Sequence, residues 1–390
     1  MRIAFTGVRG IPDLYSGFET AATEISVRLA EKGHDVAVYC RRGYGDEGED
    51  SYRGVRKIYL PRLQTKQLDT LSHTLLSCVH LFFHPVDAVV VFNAGNGPFC
   101  AILKLRGQPF ACNTDGIEWE RLKWGRVARL YWRFATWCCM KLSPEIIADA
   151  EKLQELYREW YGRESTYIAY GAHVETSEHP EILAKYGLQP DEYFFVASRL
   201  EPENNADLTV KAFEGVKTGK KLVIAGGANY RSPFIEALRR TRDPRVVFLG
   251  PVYEPGHIQE LHCNCYAYIH GNEVGGTNPA LLKALGYGNC VLYLDCGHRF
   301  NAEVAGAAGI PYPKDVAGLR ACIQELVDRP EKVEAYRALG PRRIRQRYTW
   351  DYIAECYEEL CWRLCEDKRA EDPAYGRFPL AERATAGDVE

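Results

Sequence analysis

Short apolar runs alternate with amphipathic helical stretches along most of this chain. Ile3-Ala4-Phe5 marks the first strand, over residues 2–6, and further strands are predicted at 36–40, 88–93, 109–113, 146–149 and 167–169. Between the first two, Phe18, Ala22, Ile25 and Leu29 recur at helical spacing, with Gly33 as a stop signal. The pattern then restarts, with strands at 194–198, 222–225, 246–249, 265–269 and 290–294. Strands that alternate with helices argue for parallel sheets built from βαβ units. Two such series in tandem predict an α/β fold of two Rossmann-like lobes facing each other across a cleft. The boundary falls near Tyr170-Gly171-Ala172, giving a first domain at 1–172 and a second at 173–349. Helices are expected at 330–347 and 350–364. The stretch 366–390, charged and rich in Ala, Gly and Pro, is expected to be disordered.

With 390 residues the chain exceeds one ordinary core and suits two. A net charge of -3 makes no global case for nucleic acid, so any attraction to anions must be local. Met1 runs directly into a strand, and no apolar run approaches ~20 residues, so neither a signal peptide nor a membrane span is expected. The 14 cysteines are scattered. Cys263-x-Cys265 and Cys361-x-x-x-Cys365 lack metal-ligand spacing, so a reducing, cytoplasmic setting is the expectation.

Candidate chemistry concentrates where predicted strands end. After the strand at 265–269 comes His270-Gly271-Asn272-Glu273-Val274-Gly275-Gly276-Thr277-Asn278-Pro279, leading into a helix. Free backbone N–H groups and the positive helix end there suit a phosphate or diphosphate; the alternative is a tight strand-to-helix turn. The opening strand leads through Gly7-Val8-Arg9-Gly10-Ile11-Pro12 to Gly17 at a helix start, without the G-x-G-x-x-G spacing of a dinucleotide site. Gly17 can approach a phosphate or simply cap a helix. Arg199, after the strand at 194–198, can clamp a diphosphate or pair with Glu201 or Glu203. Asp115, after the strand at 109–113, can hold or deprotonate a sugar hydroxyl, or form an Asx turn before Gly116. Ala225-Gly226-Gly227-Ala228-Asn229 reads as a turn.

From Arg121 to Lys141 there is no acidic residue. On a helix, Trp124, Val127, Ala128, Tyr131, Ala135, Cys138 and Leu142 share one stripe, while Arg126, Arg129 and Arg133 share another. Together with Arg121 and Lys123, this basic, aromatic segment suits an anionic membrane surface or a lipid-diphosphate acceptor. A core-facing helix with a solvated cationic face is the other reading.

Taken together, Arg9-Gly10-Ile11-Pro12 with Ser16-Gly17-Phe18-Glu19-Thr20, the run RLEPENN from Arg199 to Asn205, and VGGTNP from Val274 to Pro279 resemble the rhamnosyltransferase-like branch of the family-4, retaining, GT-B glycosyltransferases. The resemblance covers the chain from Met1 to about Leu364, and the helix opening Trp350-Asp351-x-Ile353-Ala354 looks like the one that crosses back to the first lobe, over about 350–365. It implies a nucleotide-diphosphate sugar, dTDP- or UDP-linked, held by the second lobe. A lipid-linked saccharide acceptor, at the inner face of the cell membrane, would be held by the first. By position, Arg199 would neutralise the leaving group, with Gly17, Asn204, Gly275, Gly276, Thr277, Asn278 and Lys283 around the donor. Asp115 falls near the donor sugar, where relatives often carry histidine. No metal or other cofactor is implied, since cations and a helix terminus serve the diphosphate.

Two departures stand out. Asn204 replaces a lysine of the wider family, and of two family glutamates, one corresponds to Gly275 and the other to Lys283. An ammonium donates where a carboxylate accepts. The leading expectation is a transferase moving a sugar, rhamnose first among them, in cell-surface polysaccharide synthesis. The alternative is a non-catalytic GT-B scaffold marked by Lys283.

Overall fold

The computed structural model describes residues 1–12, 17–45, 47–65, 68–227 and 232–371. Fourteen strands among them form two sheets. The first contains β1 (Arg2–Thr6), β2 (Asp35–Arg41), β3 (Ser51–Tyr52), β4 (Val55–Leu60), β5 (Ala88–Phe92), β6 (Phe110–Asn113), β7 (Glu145–Ala148) and β8 (Thr166–Tyr167), in the order β3-β4-β2-β1-β5-β6-β7-β8. All neighbours are parallel except the β3–β4 hairpin. Helices cover both faces of a parallel sheet, so its central strands are apolar without alternation; every residue of β5, AVVVF, is buried.

The second sheet contains β9 (Tyr193–Ala197), β10 (Lys221–Ala225), β11 (Val246–Gly250), β12 (Ala267–His270), β13 (Val291–Leu294) and β14 (Gly309–Tyr312), in the order β11-β10-β9-β12-β13-β14. All its pairings are parallel. Strand order reverses direction between β9 and β12, which creates a crevice at their carboxyl ends. Three strands escape the apolar-run reading: β3, β4 and β14. Arg56 and Lys57 interrupt β4, and β14 is a four-residue edge strand containing Pro311, which edge positions tolerate.

The stretch expected as one helix at 330–347 is two, Pro330–Arg337 and Leu339–Arg347. The last helix, Trp350–Glu371, buries Ile353, Tyr357, Leu360, Cys361, Leu364 and Cys365 along one face. It crosses back onto the first lobe: Tyr357 Oη accepts from Asn113 Nδ2 at 2.8 Å, and Arg28 and Lys32 bind Asp351 and Glu358 at 2.6 and 2.7 Å. This helix continues through residues 366–371, which were expected to belong to a disordered tail. The rest of that tail, 372–390, lies outside the described residues.

Candidate active site

The crevice between β9 and β12 receives two loops from the second lobe. Arg199 lies two positions beyond β9, and the glycine loop begins at Gly271, directly after β12. They are stitched together. Asn204 Nδ2 donates to the Arg199 carbonyl at 2.7 Å, Asn205 Nδ2 to the Gly271 carbonyl at 2.9 Å, and the Glu273 N–H to the Glu203 carbonyl at 3.1 Å. Asn204, expected beside the donor, therefore commits its amide N–H to bracing Arg199. Arg199 itself is exposed and forms no ion pair with a described residue, so pairing with Glu201 or Glu203 is not what holds it.

The helix after the glycine loop runs Pro279–Gly286, with Pro279 at its first position. Asn278 Oδ1 accepts from the Ala280 N–H at 3.1 Å, so Asn278 is the N-cap rather than a free ligand donor. Thr277 is committed as well. Its N–H donates to Asp149 Oδ2 at 2.9 Å and its hydroxyl to the Asp149 carbonyl, across the lobes. The expectation that Thr277 offers main-chain donors to a diphosphate is thereby corrected; Gly275 and Gly276 are the loop residues left for that task.

The first lobe shapes this loop closely. A methyl group at Gly276 would run into Asp149 Oδ1, and one at Gly116 would sit 2.5 Å from the Gly275 carbonyl carbon. Gly17, first residue of the helix Gly17–Glu31, lies against the glycine-loop helix, where a methyl would come within 2.9 Å of Pro279 Cγ. Tyr15 and Ser16, just before it, lie outside the described residues, as do Ala228 and Asn229. Asp149 is fully buried and its Oδ1 has no hydrogen-bond partner among the described residues. Burial, then the nearby Asp115 charge, pushes its carboxyl well above the ordinary carboxylate range.

Asp115 faces the same junction. Its φ of +57° is stabilised by an Asx turn that Asn113 makes, with Asn113 Oδ1 accepting the Asp115 N–H at 3.1 Å. The Asp115 carboxylate accepts from Tyr170 Oη at 3.2 Å, and burial raises its pKa even though Arg121 opposes this. The Asx turn expected of Asp115 is thus made by Asn113 instead, and the Asp115 side chain is bonded to Tyr170.

Trp124 was expected on the helical stripe, with Arg121 and Lys123 in the same basic segment. The structure corrects the helix start: it begins at Arg126, and these three occupy the preceding loop. Arg121 Nε binds Glu118 Oε1 at 2.5 Å, and Trp124 Nε1 donates to Glu118 Oε2 at 3.0 Å. Burial pushes Glu118 up, but Arg121 and Lys123 outweigh it and hold the carboxyl low. Burial lowers Lys123 despite Glu118, with Arg121 and Arg199 pushing the same way. Glu118 thus gathers Arg121, Trp124 and, at 3.9 Å, Lys123 around one carboxylate of the first lobe.

The helix Arg126–Leu142 also turns otherwise than the sequence stripe suggested. Ala135 and Cys138 are buried as expected, and Tyr131 Oη donates to the Gly95 carbonyl at 2.8 Å. Val127, however, is 84% exposed, and with Leu130, Phe134 and Trp137 forms a solvent-facing apolar row. Arg126 and Arg133 are exposed beside it, while Arg129 is half-buried with Nη2 3.5 Å from the Arg121 carbonyl. Lys283 projects from the glycine-loop helix, exposed, with no ion pair to a described residue. Asp149 and Glu118 were not singled out from sequence, and Glu203 only as an ion-pair partner for Arg199. A clue existed for Asp149, which ends a predicted strand at the same sheet edge as Asp115.

This architecture, two sheets of mostly parallel strands in two lobes with a returning terminal helix, is the GT-B fold. Residues 191–329 match the family described as "Glycosyl transferases group 1", and residues 1–173 a domain of unknown function. Glycogen synthase of Mycobacterium tuberculosis is 22% identical over 98% of this chain and 99% of its own length. Sucrose-phosphate synthase from Thermosynechococcus elongatus superposes with a TM-score of 0.76 at 15% identity, over 94% of this chain and 99% of that one. Anabaena HepE, solved in complex with UDP, gives 0.74 at 15% identity, over 93% and 100%. WaaG, a glycosyltransferase involved in lipopolysaccharide biosynthesis, gives 0.67 at 15%, over 94% and 99%. The chain is a glycosyltransferase of the GT-B type, with a group 1 domain as its second lobe.

Proposed function

We propose that this glycosyltransferase moves a deoxyhexose, rhamnose first among the choices, from a dTDP- or UDP-linked donor to a lipid-linked saccharide, with retention at the anomeric carbon. The observation that carries the nucleotide-diphosphate reading is the β9–β12 crevice, where the Arg199 loop is hydrogen-bonded to the glycine loop and Arg199 is exposed, with no ion pair to a described residue. A leaving diphosphate there meets Arg199 directly, with Lys123 and Arg121 opposite, so charge stabilisation comes from fixed side chains in a partly dry cleft. In this reading no divalent metal takes part. Front-face attack, with the leaving phosphate receiving the acceptor proton, explains why no carboxylate base is required. Asp115 then positions a sugar hydroxyl. The sugar identity and the family-4 rhamnosyltransferase branch rest on the RLEPENN and VGGTNP resemblance.

HepE has been solved with UDP-glucose, and the same class of donor suits this crevice. The lipid-linked acceptor is supported by the helix Arg126–Leu142. Its exposed row of Val127, Leu130, Phe134 and Trp137, edged by Arg126 and Arg133, suits peripheral contact with an anionic membrane face. No helix among the described residues is long and apolar enough to cross a membrane. The test is a thermal-shift panel of uridine, thymidine, guanosine and adenosine diphosphate sugars at equal concentration. A ligand at ~100 times its dissociation constant adds ~2.7 kcal/mol. Stabilisation by a dTDP- or UDP-sugar supports the reading; no shift with any of them removes it.

A further inference from the structure

Glu203 lies in the turn Pro202–Asn204, between Arg199 and the helix that starts at Ala206. Its carbonyl holds the Glu273 N–H, which fixes this turn against the glycine loop. The residue is only 3% exposed, and its Oε2 has no hydrogen-bond partner among the described residues. No ion pair joins it to a described residue, although it slightly favours the charged forms of Arg121 and Lys123 in the first lobe. Glu203 Oε2 thus lies buried beside the glycine loop, without a hydrogen-bond donor among the described residues.

A buried carboxylate without donors is unfavourable, and an ionised one can only accept. A diphosphate offers it nothing, since phosphate oxygens also accept. Sugar hydroxyls do donate, and a pyranose brings several together. We infer that Glu203 is a further binding residue, taking hydroxyl groups of the donor's glycosyl unit while Arg199 takes the diphosphate beside it. This rests on the nucleotide-sugar reading above. It separates the two halves of the donor: cations for the phosphates, one acceptor carboxylate for the sugar.

Titration calorimetry on the full chain and on Glu203→Gln, using UDP, UDP-glucose, dTDP and dTDP-rhamnose, tests this. In Glu203→Gln the nucleoside diphosphates should bind within about twofold of the original chain, whereas the nucleotide sugar that the original chain binds should weaken about tenfold or more, as charged hydrogen bonds predict. Without ligand, this variant should melt at about the same temperature, because its side chain gives up no hydrogen bond to a described residue. Equal affinity for nucleotide sugars in the two proteins overturns the inference. So does an equal loss for nucleoside diphosphates and their sugars, which would place the carboxylate at the ribose or in the scaffold. Should Glu203→Gln fail to fold, Glu203→Asp, with its charge kept and drawn back, should show the same selective loss. If the original chain binds the nucleoside diphosphates but neither sugar conjugate more tightly, Glu203 has no glycosyl role. If it binds none of the four, the nucleotide-sugar reading itself falls, and this inference with it.

Discussion

Thr277 of the second lobe donates its backbone N–H to the Asp149 carboxylate of the first lobe at 2.9 Å, and its hydroxyl bonds the Asp149 carbonyl. One residue thereby spends both of its donors across the cleft. The clasp fixes the glycine loop at its helix end, and Gly276 must lack a side chain for Asp149 to reach. Thr277→Val removes the hydroxyl bond while keeping shape, and should destabilise by about 1–2 kcal/mol in denaturant unfolding. Gly276→Ala forces the clasp apart and should lower both stability and transfer rate. Unchanged stability in both variants would show that the clasp is not a structural tie.

Asp149 also gives a pH signature. Its folded pKa lies well above the ordinary aspartate value, so between the two the folded state holds more protons than the unfolded one. Its contribution is therefore present at low pH and is lost as pH rises through the folded pKa. Asp149→Asn keeps an acceptor for Thr277 without that titration. The stability difference between Asp149→Asn and the original chain should grow in favour of Asn as pH rises from about 4. A difference that is flat across pH 4 to 9, or that shrinks, contradicts this.

Three buried histidines act in the opposite sense. Burial pushes His73 and His262 down to about 4 and His270 to about 3. Each must stay neutral in the folded state, so their contribution is intact above the unfolded value near 6.5 and is lost as pH falls towards 4. Melting temperature should drop over that window. His262→Gln, which can still meet Asn289 (2.9 Å from His262 Nδ1), should flatten part of the drop.

The apolar row on the helix Arg126–Leu142 predicts a separable membrane effect. Leu130→Ser with Phe134→Ser should reduce binding to vesicles containing anionic lipid several-fold. Both side chains are largely exposed, so melting temperature should stay nearly constant. Vesicle binding equal to that of the original chain would assign this face elsewhere.

Lys283 discriminates enzyme from scaffold by direction alone. In a working transferase adapted to an ammonium at this position, Lys283→Glu should lower turnover. A rise in turnover would mark a chain that had lost its function through this residue.

Much of the crevice was legible in sequence because strand ends announce themselves: an apolar run stops, and Arg199 or Gly271 follows. Partners across the cleft were not. Nothing local in Ile147-Ala148-Asp149 or Pro202-Glu203-Asn204 says that these carboxylates are buried, because the burial comes from the other lobe or from the neighbouring loop. The basic helix was misjudged for a related reason. Helical period yields two apolar stripes there, and packing on the segment Ala94–Phe99 decides which one is hidden. Strands β4 and β14 failed the apolar-run test because edge and near-edge strands tolerate charge and proline.

The most direct measurement is the affinity of UDP and dTDP for the original chain and for Arg199→Met, by titration calorimetry. Arg199 is exposed and unpaired among the described residues, so the variant should fold with unchanged melting temperature. The original chain should bind at least one of the two, and Arg199→Met should weaken that binding by about tenfold or more, as loss of a charge-assisted contact requires. Equal affinity in the two proteins, or no binding by the original chain, contradicts this.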